Sequence, residues 1–201
     1  MHETTPDLLA VARSAGLDVL LAPLMVLQKA ALVPDLPIPG AEIRFLDPVS
    51  PGFAADLGAT RAVGKLAFGA PVTGATPAGP RERDALPSPP EEAVELQRRL
   101  HLSGRSTAAV VESPADGILA GGFVQRAGDV AEIAGVATLP SARRRGYASQ
   151  LTAALARRAL EQGADLVFLS AGDDDVARLY AKVGFRRIGT ACIAEPAPAP
   201  L

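Results

Sequence analysis

Residues 132–148 read EIAGVATLPSARRRGYA, and the order of residue types in this stretch decides what the rest of the chain can be. Apolar and β-branched residues run to Leu139 as a buried strand, and Pro140 stops it. A short turn then carries Arg143, Arg144 and Arg145, and Gly146 opens a helix. Such a turn suits an anion. The first N–H groups of a helix have no internal partners, its dipole is positive there, and guanidinium groups add full charge. Gly146 and Ala148 keep side chains clear of a close backbone approach, so a pyrophosphate is the kind of ligand that fits. An ordinary solvated basic turn has the same composition, and physics alone stops at an anion.

Working outward, the periodicity predicts a helix over 146–162, a strand over 165–171, a helix over 174–183 and a strand over 185–193. Upstream, apolar runs over 106–112, 117–125 and 130–139 are separated by PADG and RAGD, the punctuation of a three-stranded antiparallel meander. Helical spacing covers 52–68 and 91–101, and 41–46 alternates as a strand. Between the two helices, residues 69–90 hold six Pro and three Gly, which predicts a long mobile loop of the kind that faces substrate. Residues 1–40 read as an N-terminal extension, with a short helix over 6–15. Within it, 17–27 forms a strand only at an edge or with a break at Pro23. The main domain is expected over 41–193, with a flexible tail over 194–201.

Composition narrows the function. The 201 residues are 48% hydrophobic and 21% charged, enough for one domain with a real core. A net charge of -2 and a pI near 5.7 argue against nucleic acid as the main partner. Cys192 is the single cysteine, and with His2 and His101 it assembles no zinc site, so a reduced, cytoplasmic setting and no metal are expected. The most apolar stretch, 19–27, is far short of the roughly 20 residues of a spanning helix, and the acidic start does not fit a signal peptide. No membrane partner is expected. Arg outnumbers Lys 17 to 3, the bias of GC-rich codon usage, in line with a bacterial source.

The stretch resembles motif A of the GNAT superfamily of acetyltransferases, whose signature [Q/R]-x-x-G-x-[G/A] is met by Arg143, Arg144, Arg145, Gly146, Tyr147 and Ala148. The preceding GVATLP is similar to the end of the family's fourth strand, and DDDVARLYAKVGFRR resembles its motif B, with Ala177, Tyr180, Gly184 and Phe185 in register. Asp174 stands where Asn is common. The resemblance covers 41–193 in order of elements and is strongest from Ser106 onward. It implies the α/β GNAT (acyl-CoA N-acyltransferase) fold, a mixed, mostly antiparallel central sheet flanked by helices. It also implies acetyl-CoA as cosubstrate and transfer of the acetyl group to a primary amine of a small molecule or peptide, by a monomer or homodimer. A catalytically inactive module that binds acyl-CoA, with a regulatory or partner-binding role, is the alternative.

The same resemblance assigns residues. The pyrophosphate falls to Arg143, Arg144, Arg145, Gly146, Tyr147 and Ala148, and the pantetheine arm to Val136, Ala137 and Thr138, with Asp174 and Ala177 as further cofactor contacts. Main-chain N–H groups around Val136 and Ala137 are the oxyanion donors. Glu132, eleven residues before Arg143, is the candidate general base, and burial on a strand would raise its pKa toward neutrality. Tyr180 is the candidate general acid toward the thioester sulfur, although its helical spacing with Val176, Leu179 and Val183 also suits a core tyrosine. Asp174 is read as the N-cap of its helix, and Asp173 to Asp175 as dipole-compensating acids in preference to a metal site. His101 is read as a cation at a helix end, and Cys192 as a small core residue. The stretch GATRAVGKL from Gly58 fails the spacing of a phosphate-binding loop.

Overall fold

The computed structural model describes residues 2–69 and 76–196. These fall into two compact units: residues 33–167, and the residues up to Leu32 together with those from Phe168 onward.

In the larger unit four antiparallel strands, β2 (Glu42–Phe45), β3 (Ser106–Ser113), β4 (Gly117–Ala127) and β5 (Val130–Thr138), lie side by side in chain order. The meander read from PADG and RAGD is β3 to β5. β3 is buried on both faces, as a strand covered by helices must be. One cover is α2 (Phe53–Phe68), where Thr60 meets Gly121 so closely that a Cβ on the glycine would lie 2.6 Å from the Thr60 methyl. The other is α5 (Tyr147–Glu161), whose Leu155 approaches Gly122. Tyr147, Leu151, Leu155 and Ala159 recur at i+4 on the buried stripe of α5. Phe53, Val63, Val110, Val124, Leu151 and Leu155 are fully buried. Arg44 on β2 ties α2 down by a forked pair to Asp56 at 2.7 and 3.1 Å and is itself held by Glu112 of β3 at 2.8 Å.

The expected loop over 69–90 is only partly a loop. Residues 70–75 lie outside the described residues, but Pro80–Asp84 forms a short helix, α3. Pro80 sits in the first turn, and Glu82 accepts the Gly79 N–H at 2.8 Å. Arg83 is buried and donates to the carbonyls of Asp116, at 2.8 Å, and Ile118, which fixes α3 against the β3–β4 turn. Helix α4 (Glu91–Leu102) follows as expected. The positive form of His101 is disfavoured there. Burial against Phe53, ring to ring at 5.2 Å, lowers its pKa, with the Gln97 carbonyl 2.8 Å from Nδ1.

In the smaller unit α1 (Asp7–Ser14) precedes β1 (Leu17–Leu27), and α6 (Asp174–Val183) precedes β7 (Phe185–Pro196). β1 pairs antiparallel with β7 along its whole length and with β6 (Leu166–Ser170) through Leu24, Met25 and Val26. The segment read as an extension is therefore a strand, and it is not an edge. Pro23 is tolerated because its carbonyl accepts from Ala171 N–H at 2.9 Å, on the side where β6 has just ended. A missing N–H there breaks no ladder bond. β7 continues into the expected tail as far as Pro196, and residues 197–201 lie outside the described residues. Cys192 is exposed rather than buried, since the outer half of β7 is covered on neither face. Among the described residues no helix is long and apolar enough to cross a membrane.

Candidate functional site

The larger unit carries the arginine turn and the strand that leads to it. Gly121 pairs with Ala137 and Phe123 with Ala134, so Gly122 faces both Gly135 and Val136: β5 carries a bulge. Gly135 has φ 62°, and a Cβ on it would sit 2.5 Å from the Phe123 ring. Both the backbone and the space therefore require glycine. The bulge sorts the side chains of β5. Glu132, Ala134 and Ala137 are paired with Gln125, Phe123 and Gly121 on the face covered by α2, whereas Val136 lies beside Gly122 and Leu155 on the α5 face. Glu132 is half-buried, and burial pushes its carboxyl pKa up. Thr138 ends the strand with its hydroxyl oxygen buried and without a hydrogen-bond partner among the described residues.

Beyond Thr138 a single 3-10 turn over Pro140–Ala142 leads into the arginines. Arg144 is left-handed at φ 65° and Gly146 at φ 80°, with α5 starting at Tyr147. Among the described residues no side chain caps this helix, and its first turn holds no acid, so its leading N–H groups are unclaimed by those side chains. A Cβ on Gly146 would meet nothing within 4 Å. The three arginines differ. Arg144 and Arg145 are exposed and make no hydrogen bond or ion pair among the described residues, while Arg143 donates to the Ala67 carbonyl at 2.8 Å. Tyr147 is buried in the core of the unit, which leaves only its main-chain N–H for an anion. Ala148 follows it in the first turn of α5, and its carbonyl accepts from Thr152 at 2.7 Å.

The smaller unit carries the remaining candidates. Tyr180 is only 7% exposed, its ring centre 6.3 Å from that of Phe185, and burial pushes its hydroxyl up to about 12. The cap of α6 is Asp173, not Asp174: its carboxylate accepts the Val176 N–H at 2.8 Å. Asp174 is instead the first helical residue, paired with Arg187 at 3.0 Å. Asp174 and Ala177 line an open groove of about 450 Å³ with Met25, Gln28, Arg178 and Phe185. The phosphate-loop lookalike from Gly58 lies inside the unbroken helix α2.

The residues fit a phosphorylated acyl carrier. An orphaned buried hydroxyl, a bulged strand and an uncapped helix start with two left-handed residues before it succeed one another within residues 135–147. The basic turn is visible in the sequence pattern, and Thr138 comes only from the family resemblance. The pattern did not separate Arg143 from its neighbours, and it overlooked Gly135, although an isolated glycine inside a strand is the usual mark of a bulge.

Comparison with known proteins agrees at the level of class. Residues 110–194 match the family described as FR47-like protein. No curated protein sequence matches the chain. Among solved structures, a GCN5-related N-acetyltransferase from Kribbella flavida aligns with 98% of the chain at 23% identity and a TM-score of 0.65. One from Sphaerobacter thermophilus aligns with 94% at 18% identity and 0.58. The chain spans 66% and 56% of those two proteins, less than two thirds of each. An aminoglycoside acetyltransferase from an uncultured soil metagenomic sample aligns with 72% of the chain, 90% of its own length, at 21% identity and 0.53. The fold is the mixed, mostly antiparallel α/β fold of these acetyltransferases. The chain thus shares its fold with these N-acetyltransferases, and its residues 110–194 are FR47-like.

Proposed function

We propose that the protein transfers an acetyl group from acetyl-CoA to a primary amine of a small molecule or peptide. One observation carries this reading: the left-handed Arg144 and Gly146 at the uncapped start of α5, directly after the bulged strand β5. The pyrophosphate would be held by the side chains of Arg144 and Arg145 and by main-chain N–H groups from Gly146 to Ala148. Val136, Ala137 and Thr138 would hold the pantetheine arm, the Thr138 hydroxyl gaining the partner it lacks. Acetyl-CoA, when bound, supplies the activated acyl group. Glu132 takes a proton from the attacking amine. Its raised pKa brings a carboxylate, normally too weak a base, closer to the working pH. Tyr180 is the proton donor, and its raised pKa keeps the hydroxyl protonated at neutral pH. Two of the similar structures are named aminoglycoside acetyltransferases, which supports an amine as acceptor. The protein is read as cytoplasmic, free of metal, and a monomer or homodimer.

A second reading, an acyl-CoA-binding module without turnover, is favoured by Tyr180 itself. A phenol near 12 is a poor acid for a thiolate whose conjugate acid is near 8.5. Calorimetric titration with acetyl-CoA, desulfo-CoA and ADP, followed by thiol detection over a panel of amines, separates the two. Saturable binding of acetyl-CoA that ADP imitates only weakly, with thiol release in the panel, is the expected result. Binding without thiol release selects the module, and no binding reduces the kinship to a shared fold.

A further inference from the structure

The three consecutive arginines do not share one task. Helix α2 ends at Phe68, and its last carbonyls have no helical N–H to accept from. Gly69 N–H satisfies the Lys65 carbonyl, and the Arg143 guanidinium reaches the Ala67 carbonyl at 2.8 Å. A cation at that end also suits the helix dipole. Two residues earlier in the same turn, Ser141 N–H donates to the Ala78 carbonyl at 3.0 Å, and its Oγ would lie 2.9 Å from a Cβ on Gly79. Ala78 leads into α3, which Arg83 fixes to Asp116 and Ile118. The turn at 141–143 is therefore bonded both to the end of α2 and to the start of α3. Helix α2 covers the sheet face that carries Glu132.

We propose that Arg143 is a positioning residue that ties the anion-binding turn to the C-terminal end of α2, so that a ligand on the turn also steadies the helix on the sheet face that carries Glu132. Arg144 and Arg145 supply the charge that meets the anion. The coupling rests on the acetyl-CoA reading above; the tie itself is present without ligand.

The experiment combines hydrogen exchange of residues 64–69 with acetyl-CoA calorimetry on wild type, Arg143→Met, Arg143→Lys and Arg144→Met. Without ligand, Arg143→Met should exchange about tenfold faster in the last turn of α2, the effect of losing one charged hydrogen bond. Arg143→Lys, which can still donate to Ala67, should stay near wild type, and Arg144→Met should match it. With acetyl-CoA, Arg144→Met should lose about tenfold in affinity and Arg143→Met less than about threefold. The ligand should slow exchange at 64–69 in wild type but not in Arg143→Met. Unchanged exchange in Arg143→Met together with a tenfold loss of affinity would make Arg143 an anion ligand and overturn the proposal. If wild type binds no acetyl-CoA, the acetyltransferase reading falls and the coupling with it. The ligand-free exchange then still decides whether Arg143 holds α2.

Discussion

The helices α5 and α6 both follow a strand, yet they begin in opposite ways. α6 fills its own start: Asp173 accepts the Val176 N–H, and Asp174 and Asp175 place two more negative charges in the first turn. α5 fills nothing: its cap is a left-handed glycine, its first turn has no acid, and just before it stand two arginines with no partner among the described residues. The same backbone dipole is thus met internally in one helix and left without a protein cap in the other. The choice lies in the side chain at the cap and not in the helix. A helix start is informative about binding only when the chain declines to cap it.

Four substitutions break or sharpen this contrast, from the largest effect to the smallest. Glu132→Gln, on the strand leading to the open helix, should lower kcat by about 10²- to 10⁴-fold and remove the acidic limb of the pH–rate profile. The sign follows from the raised pKa. A base must be deprotonated, so wild-type activity rises with pH through a pKa above the usual carboxylate range. The folded state also binds the Glu132 proton more tightly than the unfolded one, so wild-type stability falls as pH rises through that window. Urea unfolding should therefore show Glu132→Gln equal to or more stable than wild type at neutral pH. Gly146→Asp gives α5 the acid that α6 has, at a φ that Asp tolerates better than most residues. Acetyl-CoA affinity should fall about 100-fold or more by calorimetry, and retained affinity would show that the N–H groups of α5 are not the ligand site. Tyr180→Phe should keep affinity and lower kcat by about 10²-fold, the low end for a proton donor of raised pKa. Equal rates would remove Tyr180 from the mechanism unless product release limits both. Asp173→Ala strips the cap from α6 and should cost about 1 kcal/mol in urea unfolding without weakening acetyl-CoA binding.

Most of the element order was legible because apolar periodicity is strong from Ser106 onward, where strands and helices are long and amphipathic. The arginine turn was legible as a turn between strand and helix because Pro140 and Gly146 bracket it. What escaped notice depends on contacts distant in sequence. Nothing around Pro23 says that β6 ends beside it, so β1 reads as an edge or a break when it lies between two strands. Nothing in RRR says that Ala67 claims the first guanidinium. Pro80–Asp84 hides in a run of prolines and glycines because its anchor, the carbonyls of Asp116 and Ile118, belongs to another turn. The cap of α6 was misplaced by one residue because three adjacent aspartates offer the same chemistry, and only backbone geometry chooses among them.

The pairing of β1 with β7 also sets an order of events. Leu17 finds its partner in Pro196 and Leu27 in Phe185, so β1 waits for a strand synthesised much later. Until β7 emerges, β1 has only the short β6 to pair with, and contacts this far apart in sequence form late. The larger unit, whose sheet lies in chain order, can close well before. A nascent chain therefore carries a closed larger unit while β1, with Leu20 and Leu21 that stay exposed even in the completed fold, still lacks β7. Pairing with β7 ends this exposure for the rest of β1, and a chain cut before Phe185 would keep a sticky, unpaired edge.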